Sequence, residues 1–403
     1  MVLSLNGFKH PEQKRCIIFV SEVARWRAVR FVSKTKHDST MDKYNLHRLA
    51  IIVLLIVPGF VHSNTQNSFF EKAGLSMHGG RVVPHDKAID PLAKGAFLMK
   101  HLSFSGQVKG DHEWHALYNY PELGLNFLYT DLGYPEVLGK AFAFFPHIAF
   151  NLFSAPNFSM GHNQGIGIAY LTRPFHESTN PENAAIGSAV NIVYNMTLEA
   201  RWVFTPNWTV YSGLSLTHFS NGRIRTPNKG LNIPAVKLGL GWNFSDNPVA
   251  RPAPVKRRYS MRPEWITLTS GGLSSTYPPG SPVSRRFSVQ STFHYPLSQK
   301  TGAGLGYDFF YSERKQSAGQ DQTHSIWYNL HGLHLAWQQS FSKLSFIFHK
   351  GIYFHDKSNF NESLFYHRVG FRFNPFGGIV FSLSLKTHFF QAENLEWGIG
   401  YKF

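Results

Sequence analysis

The chain has 403 residues, 40 Lys and Arg against 24 Asp and Glu, a formal net charge of +16, a mean hydropathy of −0.21 and one cysteine, Cys16. A single cysteine excludes a disulfide-built scaffold, and the basic balance suits anionic partners. The basic residues are spread along the chain, and no glycine-rich phosphate loop follows a strand and opens a helix, so nucleic acid and nucleotide chemistry find no support.

Residues 1–40 show no clean period and read as an upstream extension, with translation starting at Met41. Residues 41–63 have the form of a signal peptide: a basic start at Lys43 and Arg48, an apolar run from Leu49 to Val57, Pro58, and a small-residue end at Ser63. The apolar run is short for a membrane helix, so the expectation is cleavage and export of residues 64–403 without cysteine.

Strand signals then recur to the end of the chain, each with period-two alternation and bounded by turn residues. Leu123, Leu125, Phe127 and Tyr129 oppose Gly124, Asn126 and Thr130. Residues 141–153 are a continuous apolar run broken by Pro146. From Val190 to Phe204 the even positions are mainly apolar and the odd ones mainly polar, which is long for a soluble strand. Residues 245–262 are rich in proline and basic side chains and read as a loop, because the same alternation resumes at Phe287, Ala303 and Ile379. Leu395, Trp397, Ile399, Tyr401 and Phe403 alternate strictly to an aromatic C-terminus. Alternation averages out in hydropathy, and aromatics make up 15% of residues, as interface girdles would require. The expected fold is all-β: one transmembrane antiparallel β-barrel of roughly 12 to 16 strands over residues 64–403, in the outer membrane of the cell.

The stretch Thr217–Phe244 joins two such strands through a polar loop. On the way in, Trp208, Val210, Ser212, Leu214, Leu216, His218 and Ser220 share the apolar face. On the way out, Asn232, Pro234, Val236, Leu238, Leu240 and Trp242 do. Pairing across residues 221–231 brings His218, Ser220 and Asn232 together at the polar margin of a face that, in a barrel, touches lipid.

The segment HFSNGRIRTPNKGLN resembles the active-site segment of the outer-membrane lipid A 3-O-deacylase family, also called acyloxyacyl hydrolases. The shared elements are His218, Ser220 and Asn221, then Pro227, Asn228 and Gly230. The resemblance covers the part up to residue 244, with 263–403 as further barrel strands. It implies a carboxylic ester hydrolase with Ser220 as nucleophile, His218 as general base and Asn221 in support of the oxyanion. Where the family carries its acidic third member this chain has Asn232. Either that amide orients the imidazole without supplying charge, or a carboxylate from elsewhere substitutes; Glu199 has the wrong parity.

The implied substrate is lipid A of lipopolysaccharide, arriving laterally in the membrane. Arg223, Arg225 and Lys229 are expected near its phosphates, against the plainer reading of a solvated loop. No cofactor is expected, and the pair His112 and His115 lacks the further ligands a metal needs. The barrel assembly machinery is expected as a partner during biogenesis, and a homodimer stays open. The alternative is a non-catalytic barrel, a channel, transporter or scaffold, that retains the deacylase-like fold.

Overall fold

The computed structural model describes residues 69–244, 262–317, 323–356, 363–389 and 391–403. The expected extension and signal peptide, and most of the 245–262 loop, lie outside the described residues. No described helix is long and apolar enough to cross a membrane.

Sixteen strands alternate along the described chain, as the period-two pattern requires. They do not close into one barrel of 12 to 16 strands but into two of eight. The first contains β1 (Lys72–Arg81), β2 (Ala96–Gln107), β3 (Glu122–Thr130), β4 (Ala141–Ser154), β5 (Phe158–Leu171), β6 (Val190–Thr205), β7 (Trp208–Ser220) and β8 (Leu231–Asn243). The second contains β9 (Glu264–Ser274), β10 (Ser284–Pro296), β11 (Thr301–Ser317), β12 (Thr323–Phe341), β13 (Leu344–Asp356), β14 (Phe365–Phe373), β15 (Ile379–His388) and β16 (Gln391–Lys402). Within each barrel consecutive strands pair antiparallel, and β8 and β16 return to β1 and β9.

The first barrel closes along the β8–β1 seam, where Lys72 to Gly80 pair with Asn243 to Ala235. Gly74 and Gly241 stand opposite each other there, and a Cβ on Gly241 would overlap the Tyr211 ring that crosses the lumen side. The bare backbone at Gly241 leaves room for that ring, and the closed ladder exposes no strand edge.

Alternation sorts the side chains as a barrel demands. Leu214, Leu238 and Ile168 face outward, whereas Thr217, Phe219 and Glu199 are buried. Each lumen is filled with paired charges. In the first barrel Glu199 bonds Arg201 at 2.7 Å and Lys237 at 2.5 Å, and Glu122 bonds Arg201 at 3.1 Å and Lys72 at 2.5 Å. In the second, Arg368 joins Asp308 at 3.1 Å to Glu396 at 2.6 Å. Buried ions persist only when so paired.

At one end of the first barrel the connections 82–95, 131–140 and 172–189 fold inward. Val82, Ile89, Leu92, Leu132, Leu138 and Ile186 pack on Phe97, Phe145, Phe219 and Leu231 in one apolar cluster. This plug fixes the rim on which β7 ends. The two barrels also touch there: Ser275 N–H donates to the Arg223 carbonyl at 2.9 Å. At the opposite end the short helix α1 (Glu113–Leu117) and Tyr118 meet the β12–β13 turn, where Tyr118 Oη donates to the Ser340 carbonyl at 2.9 Å.

Candidate active site

β7 delivers its last outward-facing residues, His218 and Ser220, to the plugged rim, with buried Phe219 between them as the anchor. β8 begins at Leu231, also buried, so Asn232 faces outward opposite His218 in the register. The His218 Nδ1 to Asn232 Oδ1 distance is 2.7 Å. Ser220 stands two residues on along the same face, half-buried and opposite Ile192, and its hydroxyl makes no hydrogen bond among the described residues. Two of the expected residues, His218 and Asn232, are thus joined, while Ser220 shares their face without a hydrogen bond to either. Serine–histidine contacts are commonly loose before substrate arrives.

The connection 221–230 is held by its own polar side chains. Asn221 is buried; its N–H donates to Asn228 Oδ1 at 2.9 Å, and its Nδ2 donates to the Arg225 carbonyl at 2.9 Å and to Ser188 Oγ at 3.0 Å. Its side chain is therefore committed to the loop and is not aimed at a reacting group, contrary to the expected oxyanion role. Gly230 ends the loop at φ +76°. A Cβ there would stand 2.9 Å from His218 Cε1, so the backbone lies flat against the imidazole.

The three basic residues part company. Arg223 Nε donates to the Ser275 carbonyl at 3.2 Å and its Nη1 to the Ala392 carbonyl at 3.4 Å, which ties the loop to the second barrel in place of a lipid phosphate. Thr226 N–H donates to Ser275 Oγ at 2.7 Å in the same seam. Lys229 Nζ lies 2.5 Å from Asp86 Oδ2 and 5.7 Å from the centroid of the Tyr277 ring. Arg225 is the exposed one. The hydrogen bond from Lys229 holds the Asp86 carboxyl below its usual range, helped by the Ala88 N–H.

Outside the spacing the sequence offers, His85 enters from the 82–95 connection. Its Nδ1 lies 3.1 Å from Asn232 Nδ2 and its Nε2 2.8 Å from the Lys229 carbonyl. No carboxylate bonds His218 among the described residues, and Glu199 points into the lumen. His112 and His115 stand edge to face at 5.2 Å, and His115 Nδ1 accepts from the Gly110 N–H at 3.1 Å.

Two family models match. Residues 100–248 match lipid A 3-O-deacylase (PagL), and residues 263–403 match the C-terminal domain of acyloxyacyl hydrolase; between them they span most of the chain. The chain belongs to the PagL lipid A deacylase and acyloxyacyl hydrolase family. The boundary between the two matches falls between the two barrels, so the PagL-matched part carries the site and the C-terminal match is a barrel of its own.

A search of curated proteins finds no match. Among solved structures, Neisserial surface protein A is similar at 8% identity and a TM-score of 0.31, over 44% of this chain and 98% of that one. The FrpB iron transporter of Neisseria meningitidis, F5-1 variant in its apoprotein form, is similar at 10% identity and a TM-score of 0.22, over 85% of this chain and 70% of that one.

Within the PagL-matched part, sequence spacing finds the pair on β7 and its partner on β8, because all three share one face of one hairpin. It misses His85, which comes from a distant connection at no fixed offset. It also gives Asn228 no role, although its Oδ1 accepts from the N–H of Asn221, next to Ser220, at 2.9 Å.

Proposed function

We propose that this member of the PagL family is an outer-membrane serine esterase that removes an ester-linked acyl chain from lipid A of lipopolysaccharide. The observation that carries the reading is the 2.7 Å bond from His218 Nδ1 to Asn232 Oδ1, on the same outward face of a barrel rim as Ser220. A hydrolytic site on that face takes its substrate from the membrane and needs no deep aqueous pocket.

In this reading Ser220 Oγ attacks the ester carbonyl while His218 Nε2 takes its proton. Asn228 Nδ2, in place of Asn221, donates to the developing oxyanion. The tetrahedral intermediate collapses when the imidazolium returns the proton to the sugar oxygen that leaves. Water then repeats the cycle on the acyl-serine. Tyr194 and Ile192, beside His218 and Ser220 in the register, offer the acyl chain an apolar track, and exposed Arg225 is the cation left for a phosphate. The amide of Asn232 orients His218 without neutralising the imidazolium, so turnover is expected below that of a carboxylate triad.

The filled lumens speak against the channel alternative. The cavity among Glu122, Glu199, Arg201 and Lys237 measures about 30 Å³, room for a water molecule. The test is mass spectrometry of lipid A from cells that carry the parent, Ser220→Ala or His218→Ala at equal outer-membrane levels. Loss of one acyl chain with the parent alone is expected. Unchanged lipid A in all three would overturn the assignment and leave a barrel without this chemistry.

A further inference from the structure

We infer that His85 is a positioning residue, which gives the Asn232 carboxamide a direction and thereby fixes the tautomer of His218. The inference rests on the proposed esterase reading and deepens it. A carboxylate is symmetric and accepts from an imidazole through either oxygen. A carboxamide has one accepting and one donating end, and turned the wrong way it presents N–H to the ring. A chain with Asn in the third position therefore needs something that orients the amide.

The hydrogen bonds supply it from a fixed starting point. The Lys229 carbonyl can only accept, so His85 Nε2 carries the proton at 2.8 Å. In the neutral ring Nδ1 then holds a lone pair and must accept, so the group facing it at 3.1 Å is the Asn232 Nδ2. Asn232 Oδ1 is left for His218, whose Nδ1 therefore carries hydrogen at 2.7 Å. His218 Nε2 is free as the base. Each direction follows from the carbonyl at the far end.

The surroundings hold His85 in place. Val83 N–H donates to the Asn232 carbonyl at 2.9 Å, so the connection that carries His85 is paired to the residue His85 orients. Val82 is buried in the plug on one side. On the other, Asp86 accepts from Ala88 N–H at 3.0 Å and pairs with Lys229, whose carbonyl starts the chain of bonds.

The test uses the full chain in detergent micelles with a lipid A substrate, in five forms: parent, His85→Ala, His85→Gln, Asn232→Glu, and His85→Ala in the Asn232→Glu background. A misplaced tautomer at such a histidine costs up to about 10⁴ in kcat, so an amide free to turn is expected to lose about 10-fold in kcat at constant KM. Gln, whose Oε1 can accept from Asn232 Nδ2, is expected to recover most of that loss. With Glu at position 232 the substitution of His85 is expected to change kcat less than about twofold, since a symmetric acceptor needs no direction.

An equal loss in both backgrounds, or a loss in KM alone, would make His85 a mere structural support and overturn the inference. A second readout stands apart from turnover: ¹⁵N spectra of histidine-labelled protein, with the His218 ring assigned by its disappearance in His218→Ala. Protonated Nδ1 and bare Nε2 in the parent, becoming an averaged pair in His85→Ala, are expected. An unchanged His218 spectrum in His85→Ala overturns the inference, and a parent that shows no hydrolysis sinks the esterase reading while the ¹⁵N result still decides His85.

Discussion

At Gly230 one hydrogen atom in place of a methyl group decides whether His218 can keep its position. The residue sits at φ +76°, where an L side chain costs about 1–2 kcal/mol, and its Cβ would press on the ring at 2.9 Å from Cε1 and 3.5 Å from Nε2. The strain is local, whereas the displaced ring is the general base of the proposed mechanism. Gly230→Ala is therefore expected to lower the melting temperature by only a few degrees and kcat by about 100-fold, the scale of a misplacement near 1 Å. Parallel thermal melts and ester hydrolysis check it. A loss of activity no larger than the loss of folded protein would show that the close approach has no bearing on the base.

The hairpin β7–β8 shows what a pattern of period two can and cannot convey. Alternation assigns faces, so the outward parity of His218, Ser220 and Asn232 is legible from the sequence, and pairing of the two strands sets His218 opposite Asn232. It says nothing about long-range partners. Arg223 looks like any exposed basic loop residue, yet it is spent on the Ser275 and Ala392 carbonyls. Asn221 resembles an oxyanion donor by adjacency to the serine, yet its amide closes the loop. His85 reaches the site because the 82–95 connection is pinned by an apolar plug, and the plug is assembled from three separate connections. The Lys229–Asp86 pair is a half-buried strut of this arrangement. Asp86 has its carboxyl held below the usual range, so the strut is fully present above that range and is lost as the pH falls through the depressed value. Asp86→Asn is expected to keep neutral-pH activity within about threefold, as ion pairs at the surface are worth about 0–1 kcal/mol, and to remove the acid-side step from the activity profile. A retained step would assign it to another group.

Two barrels instead of one change what the second half of the chain is for. The sequence break at 245–262 looks like any long loop, and sixteen strands of uniform grammar fit one large barrel as well as two small ones. The difference lies in the pairing of β8 with β1 across the seam, a long-range register that alternation does not encode. Once closed, the first barrel has no unpaired strand edge and its own apolar plug, so residues 69–244 are expected to fold in detergent micelles by themselves. The site would not survive that cut intact. The 221–230 loop leans on the second barrel through Ser275 with Arg223 and Thr226, through Thr276 with Thr226, and through Ala392 with Arg223. Without these bonds Arg223 and Thr226 lose their fixed partners, and the loop that carries Asn228 and Gly230 has more conformations to lose on binding substrate. The 69–244 fragment is expected to give a β-sheet circular dichroism spectrum and a cooperative melt, with kcat about 10-fold below the full chain. Adding back a separately folded second barrel should restore activity only if the seam re-forms in the micelle. Full activity in the fragment would mean that the second barrel holds nothing the chemistry needs, and the loop contacts would then be mere packing between neighbours.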